Sequence, residues 1–148
     1  MHPVYRQAVP GDIAQMARIR LAVRENQLRD PSKVTLQMYA DFLEKDGRGW
    51  VAQVDGATVA FCYANRDDGS IWALFVDPAY EGRGLAKRLL ALASDWLFAL
   101  GFAQVKLSTG ARTRAAVFYA RQGWQCSSAE GDEIFFVLNR HEGESTQP

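Results

Sequence analysis

The sequence predicts a mixed α/β domain, and three observations lead to this fold class. Short runs of β-branched and aromatic residues alternate along the chain with longer segments of helical spacing. The 148 residues suffice for one hydrophobic core, and their content of 48% hydrophobic and 23% charged residues is ordinary for a globular protein. No repeat or linker interrupts the pattern, so we expect a single domain over residues 1–140, followed by a polar tail over 141–148.

The elements follow from periodicity and from turn and capping residues. The helices show apolar residues at the 3.6-residue spacing, and Asp55-Gly56 between two apolar runs is typical of a β-hairpin. The run at 70–76 is nearly all apolar, which predicts a central strand buried on both faces. The predicted elements are a strand at 4–9, a helix at 13–21 capped by Asp12, a helix at 35–43 capped by Thr35, hairpin strands at 50–54 and 58–63, a strand at 70–76, a helix at 85–100, a strand at 104–107, a helix at 113–122, and strands at 124–126 and 134–138.

Charge and residue counts exclude several functional classes. The 17 Lys and Arg residues balance 17 Asp and Glu residues, which disfavours a general binder of nucleic acid or of anionic membranes. Cys62 and Cys126 are isolated, and the only histidines are His2 and His141 near the two ends, so no spacing typical of a metal site, disulfide framework or His triad exists. The apolar stretches are too short to span a bilayer and the first residues lack the pattern of a signal peptide, so we expect a cytoplasmic protein.

The most informative segment joins the apolar strand at 70–76 to the helix that begins at Leu85. Gly82 and Gly84 bring the backbone close to its surroundings, and the free amides of a helix start form an anion site. Basic residues at Arg83 and Lys87 are unfavourable beside a positive helix end unless an anion sits there. The Walker pattern is absent, and Lys87 occupies the position where a dinucleotide fingerprint has Gly or Ala. The glycines alone fit a phosphate site and a simple tight turn equally well.

Two stretches carry a family resemblance. Residues 81–86, Glu-Gly-Arg-Gly-Leu-Ala, resemble the [QR]-x-x-G-x-[GA] motif of the GCN5-related N-acetyltransferase superfamily, with Glu81 in place of Gln or Arg. Residues 112–124 resemble that superfamily's N-x-x-A-x-x-[FY]-Y-x-x-x-G-[FW] stretch, with Arg112 where Asn is common. The positions in register are Ala115, Phe118, Tyr119, Gly123 and Trp124. The order of elements also fits, so the resemblance covers nearly the whole chain.

The resemblance implies the acyl-CoA N-acyltransferase fold, which has a central, mostly antiparallel mixed sheet with helices on both faces. It implies an N-acetyltransferase that transfers the acetyl group of acetyl-CoA to a primary amine by direct attack, without a metal. The acceptor would be a small-molecule amine or a peptide, with neither nucleic acid nor membrane as partner, and homodimers are common among similar proteins. Two alternatives stay open: a catalytically silent coenzyme A-binding sensor or partner module, and an acyltransferase that uses a longer acyl donor.

The resemblance also assigns residues. Tyr119 is the expected general acid for the departing thiolate, the alternative being a core aromatic with a satisfied hydroxyl. A backbone amide at Phe75 or Val76 is expected to polarise the thioester carbonyl. Glu81 would either lose a side-chain contact to the cofactor or pair with a neighbouring Arg. The expected cofactor-binding residues are Phe75, Val76, Glu81, Gly82, Arg83, Gly84, Leu85, Ala86, Lys87, Thr113, Ala116, Phe118 and Tyr119.

No general base is assigned, because the strand at 70–76 contains no carboxylate. Glu25 lies where this superfamily binds its acceptor, whereas Asp77 is expected to shape a turn and Asp67 and Asp68 to be solvated; a water relay is an equal alternative. Cys62 is expected to be packed in the core rather than nucleophilic. The large aromatic residues are each expected in the core rather than in an acceptor pocket: Tyr39, Trp50, Tyr63, Trp72 and Trp124.

Overall fold

A computed structural model describes residues 2–22 and 47–140. Their centre is a seven-stranded sheet with the strand order β1-β2-β3-β4-β5-β7-β6. Every neighbouring pair is antiparallel except β4 and β5, which run parallel. The strands are β1 (Val4–Gln7), β2 (Gly47–Val54), β3 (Ala57–Asn65), β4 (Ser70–Val76), β5 (Gln104–Gly110), β6 (Gln125–Glu130) and β7 (Glu133–Asn139).

Three helices of the described residues flank this sheet: α1 (Ile13–Ala22), α2 (Leu85–Ala99) and α3 (Arg114–Arg121). Short 3-10 turns at Pro10–Asp12 and Pro78–Tyr80 precede α1 and α2. None of these helices is both long and apolar enough to cross a membrane. The helix predicted at 35–43 with its cap Thr35, and the tail at 141–148, lie outside the described residues.

The helices cover opposite faces of the sheet because neighbouring strand residues point to opposite sides. On one face, Met16 and Ile19 of α1 pack with Val51, Phe61 and other buried strand residues. On the other face, α2 and α3 pack against strand residues that alternate with the first set, such as Ala52 and Cys62. The predicted architecture, a mixed sheet with helices on both faces, is therefore confirmed.

The predicted hairpin forms between β2 and β3. Both turn residues have positive φ, 52° at Asp55 and 82° at Gly56. Positive φ at both central positions defines a type I′ turn, whose twist matches that of the flanking strands. The Asp-Gly pair therefore fixes the two pairs beside the turn, Val54 with Ala57 and Gln53 with Thr58, before a bulge shifts the register at Ala52.

Two local predictions are wrong. Asp12 does not cap α1 with its side chain but ends the preceding 3-10 turn. Its carboxylate accepts hydrogen bonds from the Arg6 guanidinium at 2.7 and 2.9 Å and from the Val9 amide at 2.8 Å.

Strand β4 is not buried on both faces, because its residues alternate between buried and half-buried along its length. The half-buried residues include Trp72, Leu74 and Val76, and the space beside them is the centre of the candidate site.

Candidate active site

Strands β4 and β5 separate from each other within the sheet. Their register contains one pair, Ser70 with Lys106, where the Lys106 amide also donates to the Gly69 carbonyl at 3.1 Å. A bulge accompanies the separation: Tyr63 pairs with Ala73 and Ala64 with Ile71, so Trp72 is an extra residue in β4. The two strands thus diverge towards their carboxyl ends and leave a wedge-shaped opening.

Backbone amides of β4 point into this opening. The Asp77 amide donates to the Val59 carbonyl of β3 at 2.8 Å, so residue 77 faces β3. Because successive strand residues alternate their hydrogen-bonding side, Phe75 also faces β3, whereas Leu74 and Val76 turn their amides away from it. Of the two amides predicted for carbonyl polarisation, this geometry favours Val76.

A first cavity of about 290 Å³, here called the glycine-turn cavity, lies between the carboxyl end of β4, the start of α2 and the start of α3. Most of the predicted cofactor-binding residues line it, while Arg83, Thr113 and Ala116 do not. Four wall residues were not among the predicted cofactor-binding residues: Leu74, Tyr80, Arg114 and Ala115. The predicted residues on its wall are Phe75, Val76, Glu81, Gly82, Gly84, Leu85, Ala86, Lys87, Phe118 and Tyr119.

The start of α2 gives this cavity the properties of an anion site. Gly84 caps the helix with φ 81°, in the left-handed region, and no side chain caps the first amides. A Cβ added at Gly82 or Gly84 would meet no protein atom within 4 Å, so the backbone there borders open space. Lys87 and Arg114 add positive charge to the cavity wall. Free amides and a positive helix end favour a phosphate at this point.

Glu81 forms an ion pair across the mouth of this cavity. Its carboxylate accepts from Nη2 of Arg114 at 2.9 and 3.1 Å, which joins the glycine turn to the first residue of α3. Of the two fates expected for Glu81, pairing with an arginine is the one that the structure shows.

Two predicted residues outside the cavity wall, Arg83 and Thr113, have protein contacts of their own. The Arg83 guanidinium lies 5.3 Å from the centroid of the Tyr80 ring. Thr113 caps α3: its hydroxyl accepts from the Ala116 amide at 3.2 Å and donates to the Gly110 carbonyl at 2.9 Å. Thr113 therefore fixes the direction of the helix that carries Tyr119.

A second cavity of about 250 Å³, here called the wedge cavity, occupies the opening between β4 and β5. Arg20 of α1 and residues 107–110 of β5 line it, together with Glu133 at the start of β7. It shares Leu74, Phe75 and Tyr119 with the glycine-turn cavity. The two cavities therefore meet at the end of β4, beside Tyr119.

The polar wall of the wedge cavity was not predicted from the sequence. The predicted strand at 104–107 stopped short of Ser108 and Thr109, whereas β5 continues to Gly110. Glu133 reaches the cavity because it pairs with Gly110 across β5 and β7. Only this long-range register brings Glu133 near β4, and no local sequence signal predicts it.

Tyr119 is buried at the junction of the two cavities and is 6% exposed. Its ring packs against those of Phe118, Trp124 and Phe136, with centroids 5.4 to 5.9 Å apart. Within the described part of the chain, its hydroxyl has no hydrogen-bond partner, which leaves it available to a ligand. Burial raises the pKa of this phenol, and the nearby Cys62 thiol raises it further. At neutral pH the hydroxyl is thus protonated, the form that donates a proton.

The remaining candidates have structural roles. Cys62 is fully buried, and burial raises the pKa of its thiol, so it is not an activated nucleophile. Asp77 caps the turn before α2, accepting from the Ala79 amide at 3.0 Å, and lies 3.7 Å from Arg18. Asp68 accepts from the amide and hydroxyl of Ser70 in the exposed turn before β4. Asp67 is likewise exposed in that turn, and Glu25 lies outside the described residues.

The aromatic residues divide between core and site. Trp50, Tyr63 and Trp124 are buried in the core as expected. Trp72 differs: it is half-buried and lines the wedge cavity, because the bulge places it at the opening of β4. Tyr39 lies outside the described residues.

Comparison with known sequences assigns the family. The sequence profile of the acetyltransferase (GNAT) family matches residues 14–124. The chain belongs to this family. The matched span includes α1, the glycine turn and α3, and the predicted enzyme class, an acyltransferase of the N-acetyltransferase type, is confirmed. Among curated relatives, an aminoglycoside N(6')-acetyltransferase type 1 from Stenotrophomonas maltophilia is 31% identical over 106 residues, covering 64% of this chain and 67% of that protein.

Solved structures share the fold. The PaiA N-acetyltransferase from Thermoplasma acidophilum, determined in complex with coenzyme A, superposes with a TM-score of 0.78 at 14% identity, covering 95% of this GNAT chain and all of the other. The ribosomal-protein-S18-alanine N-acetyltransferase from Escherichia coli superposes with a TM-score of 0.77 at 19% identity, covering 93% and 94% of the two chains. These likenesses establish the acyl-CoA N-acyltransferase fold of this GNAT protein.

Proposed function

We propose that this GNAT protein transfers the acetyl group of acetyl-CoA to a primary amine that attacks directly. The observation that carries the proposal is the meeting of the two cavities at Leu74, Phe75 and Tyr119 between the diverging strands. One cavity has the anion-binding features that a nucleotide donor requires, and the other reaches the same point from the α1 side. A donor and an acceptor can therefore meet in one ternary complex.

The residues of the glycine-turn cavity fit acetyl-CoA. The uncapped start of α2, the open space beside Gly82 and Gly84, and the charge of Lys87 suit its pyrophosphate. The mostly apolar wall between β4 and α3 suits its pantetheine arm. When bound, acetyl-CoA supplies an activated thioester. The residues that would hold it are those predicted on this wall, with Arg83, Thr113 and Ala116 adjacent.

Two groups of the chain would assist the transfer. The Val76 amide, turned away from β3, donates a hydrogen bond to the carbonyl oxygen as negative charge develops on it. The Tyr119 hydroxyl gives its proton to the departing sulfur. Direct attack is favoured over a covalent enzyme intermediate because the cysteine nearest this site, Cys62, is buried and protonated.

Calorimetry with acetyl-CoA and a thiol-release assay with an amine panel test this function. We expect binding of acetyl-CoA and thiol release with at least one amine. Tyr119→Phe should lower kcat by about a hundredfold, the usual contribution of a positioned acid, and change the Kd of acetyl-CoA less than twofold. Absence of acetyl-CoA binding would refute the proposal, and unchanged turnover in Tyr119→Phe would remove the acid role. Binding without thiol release from any amine would favour the sensor alternative.

Assignments of the domain, the cellular location and the oligomeric state complete the proposal. We assign residues 1–140 to one domain, as the sequence predicts. A cytoplasmic location is supported by the two free thiols, Cys62 and Cys126, which suit a reducing compartment. The homodimer that the family resemblance suggests is tested by sedimentation of the purified protein.

A further inference from the structure

Glu133 occupies a distinctive position in the wedge cavity. Among residues 2–22 and 47–140, it supplies the only carboxylate in the wall of this cavity. The cavity also meets the proposed acetyl-CoA site at Leu74, Phe75 and Tyr119. A negative group in this wall faces the route by which an acceptor would approach the thioester.

The sheet register and a hydrogen bond hold this carboxylate in place. Glu133 is the first residue of β7 and pairs with Gly110, the last residue of β5. Ser108 lies two residues earlier on β5, so its side chain projects from the same face, and its Oγ donates to Oε2 of Glu133 at 3.0 Å. Glu133 is exposed to solvent, so protons can pass between the carboxylate and water.

Arg20 of α1 also lines this wall, where its guanidinium lies 4.8 Å from the centroid of the Phe75 ring and 5.5 Å from that of Trp72. These ring contacts hold the Arg20 guanidinium against the end of β4. The Glu133 carboxylate is the group of the described wall that attracts a protonated amine.

We propose that Glu133 binds the protonated acceptor amine and removes its proton, so that the acceptor is a cationic amine entering the wedge cavity between β4 and β5. The inference rests on the proposed function. It goes further by naming the base that the sequence left unassigned and the charge of the acceptor. Ser108 is a positioning residue, because it acts through the carboxylate of Glu133.

One proton of the ammonium group passes to the Glu133 carboxylate, which frees the nitrogen lone pair to form the N–C bond with the acetyl carbonyl carbon. The C–S bond breaks, its electron pair stays on sulfur, and the sulfur takes the proton of Tyr119. A second nitrogen proton returns through water to the Tyr119 phenolate, and Glu133 releases its proton to solvent. The products are the amide, the free thiol and one proton.

Kinetics of charge-removing variants test the assignment in the full-length protein. The acceptors are kanamycin, spermidine, a peptide with a free amino terminus, and benzylamine, followed by thiol release at pH 7.5. We expect Glu133→Gln to lower kcat/KM for the amine by about a hundredfold, within the range of general-base contributions, and to leave the Kd of acetyl-CoA within twofold. Glu133→Asp should recover part of the loss, and Ser108→Ala should lose about tenfold or less.

Glu130→Gln is the matched control. Glu130 pairs with Glu133 across β6 and β7, is also exposed, and does not line the cavity. Its variant should keep kcat/KM within twofold, because an exposed charge outside the site is screened by solvent. An equal loss in Glu130→Gln and Glu133→Gln would reduce the effect to overall surface charge and overturn the assignment.

A pair of acceptors of similar shape separates proton removal from mere support of the fold. Benzylamine is protonated at pH 7.5, whereas O-benzylhydroxylamine is a weak base and already neutral. The loss in Glu133→Gln should shrink to less than tenfold for the neutral acceptor. Equal losses for both amines, or full activity of Glu133→Gln, would overturn the role of Glu133. Failure of the native protein to acetylate any cationic amine while binding acetyl-CoA would also overturn it, whereas failure to bind acetyl-CoA would refute the proposed function itself.

Discussion

Replacement of Gly84 by alanine separates the backbone requirement of the glycine turn from its role in the proposed phosphate site. Gly84 has φ 81°, and an added Cβ would meet no protein atom within 4 Å. The substitution therefore costs only the left-handed conformation of an alanine, about 1–2 kcal/mol of the free energy of unfolding. At about 2–4 °C per kcal/mol for a chain of this size, Tm should fall by about 2–8 °C.

Gly123 offers a matched control. It follows α3 with φ 92°, an added Cβ there also meets no protein atom within 4 Å, and it does not line the glycine-turn cavity. Gly123→Ala should therefore show the same fall in Tm. The two variants are compared by thermal unfolding without ligand and by calorimetric titration with acetyl-CoA.

The two variants should differ in cofactor affinity. A Cβ at Gly84 occupies the open space beside the start of α2, where the proposed pyrophosphate lies. Loss of one hydrogen bond to a charged group costs about 1.5–3 kcal/mol, so the Kd of acetyl-CoA should rise about 10- to 150-fold. Gly123→Ala should leave this Kd within twofold. Equal affinities in both variants would show that phosphate does not approach Gly84 and would refute the placement.

Glu81→Gln removes a negative charge from the proposed anion site and breaks an exposed ion pair with Arg114. Calorimetry should therefore show acetyl-CoA binding about two- to fivefold tighter at low salt, with the gain lost in 1 M NaCl and little change in Tm. Weaker binding would instead show that the ion pair holds the cavity wall. The hydrogen bond from Arg6 lowers the pKa of Asp12, so the Asp12 carboxylate stabilises the fold at pH values above the ordinary pKa of a carboxyl group, and this stabilisation is lost as the pH falls through the lowered pKa. Asp12→Asn should therefore lower Tm at pH 7, and the difference in Tm from the native protein should shrink below pH 4. A difference that is independent of pH would contradict this role of Asp12. Cys126 is exposed, whereas Cys62 is buried and its thiol has a raised pKa. Iodoacetamide should therefore label only Cys126 in the native protein, as measured by peptide mass spectrometry. Labelling of Cys62 would contradict its burial.

Much of the fold was predictable because its signals are local. Asp55-Gly56 specifies a type I′ turn and hence the pairing of β2 and β3 next to it, and Gly101 and Gly123 end their helices with positive φ. The apolar spacing from Leu85 to Leu97 predicts the face of α2 that packs on the sheet. Each of these features depends on residues within a few positions of one another.

The errors concern features that depend on partners outside the strand or helix in question. The sequence favours burial of both faces of β4 because its residues are apolar, yet one face borders the opening that the bulge at Trp72 creates. Asp12 has the residue type of a helix cap, but the Arg6 guanidinium takes its carboxylate instead. Neither outcome follows from the residue types of the element alone, since strand pairing and ion pairing compete with local preference.

The candidate site shows the same division. By itself the sequence determined the glycine turn and the helix start behind it, because the spacing along a strand–turn–helix unit fixes these relations locally. The role of Tyr119 was predicted from the family resemblance. Only the tertiary structure decided that β4 and β5 diverge, that Val76 rather than Phe75 turns its amide into the opening, and that β7 brings Glu133 to the wall of the wedge cavity. The physical reason is that a pairing register between strands far apart in the chain is set by the packing of the whole sheet and leaves no mark in any single segment.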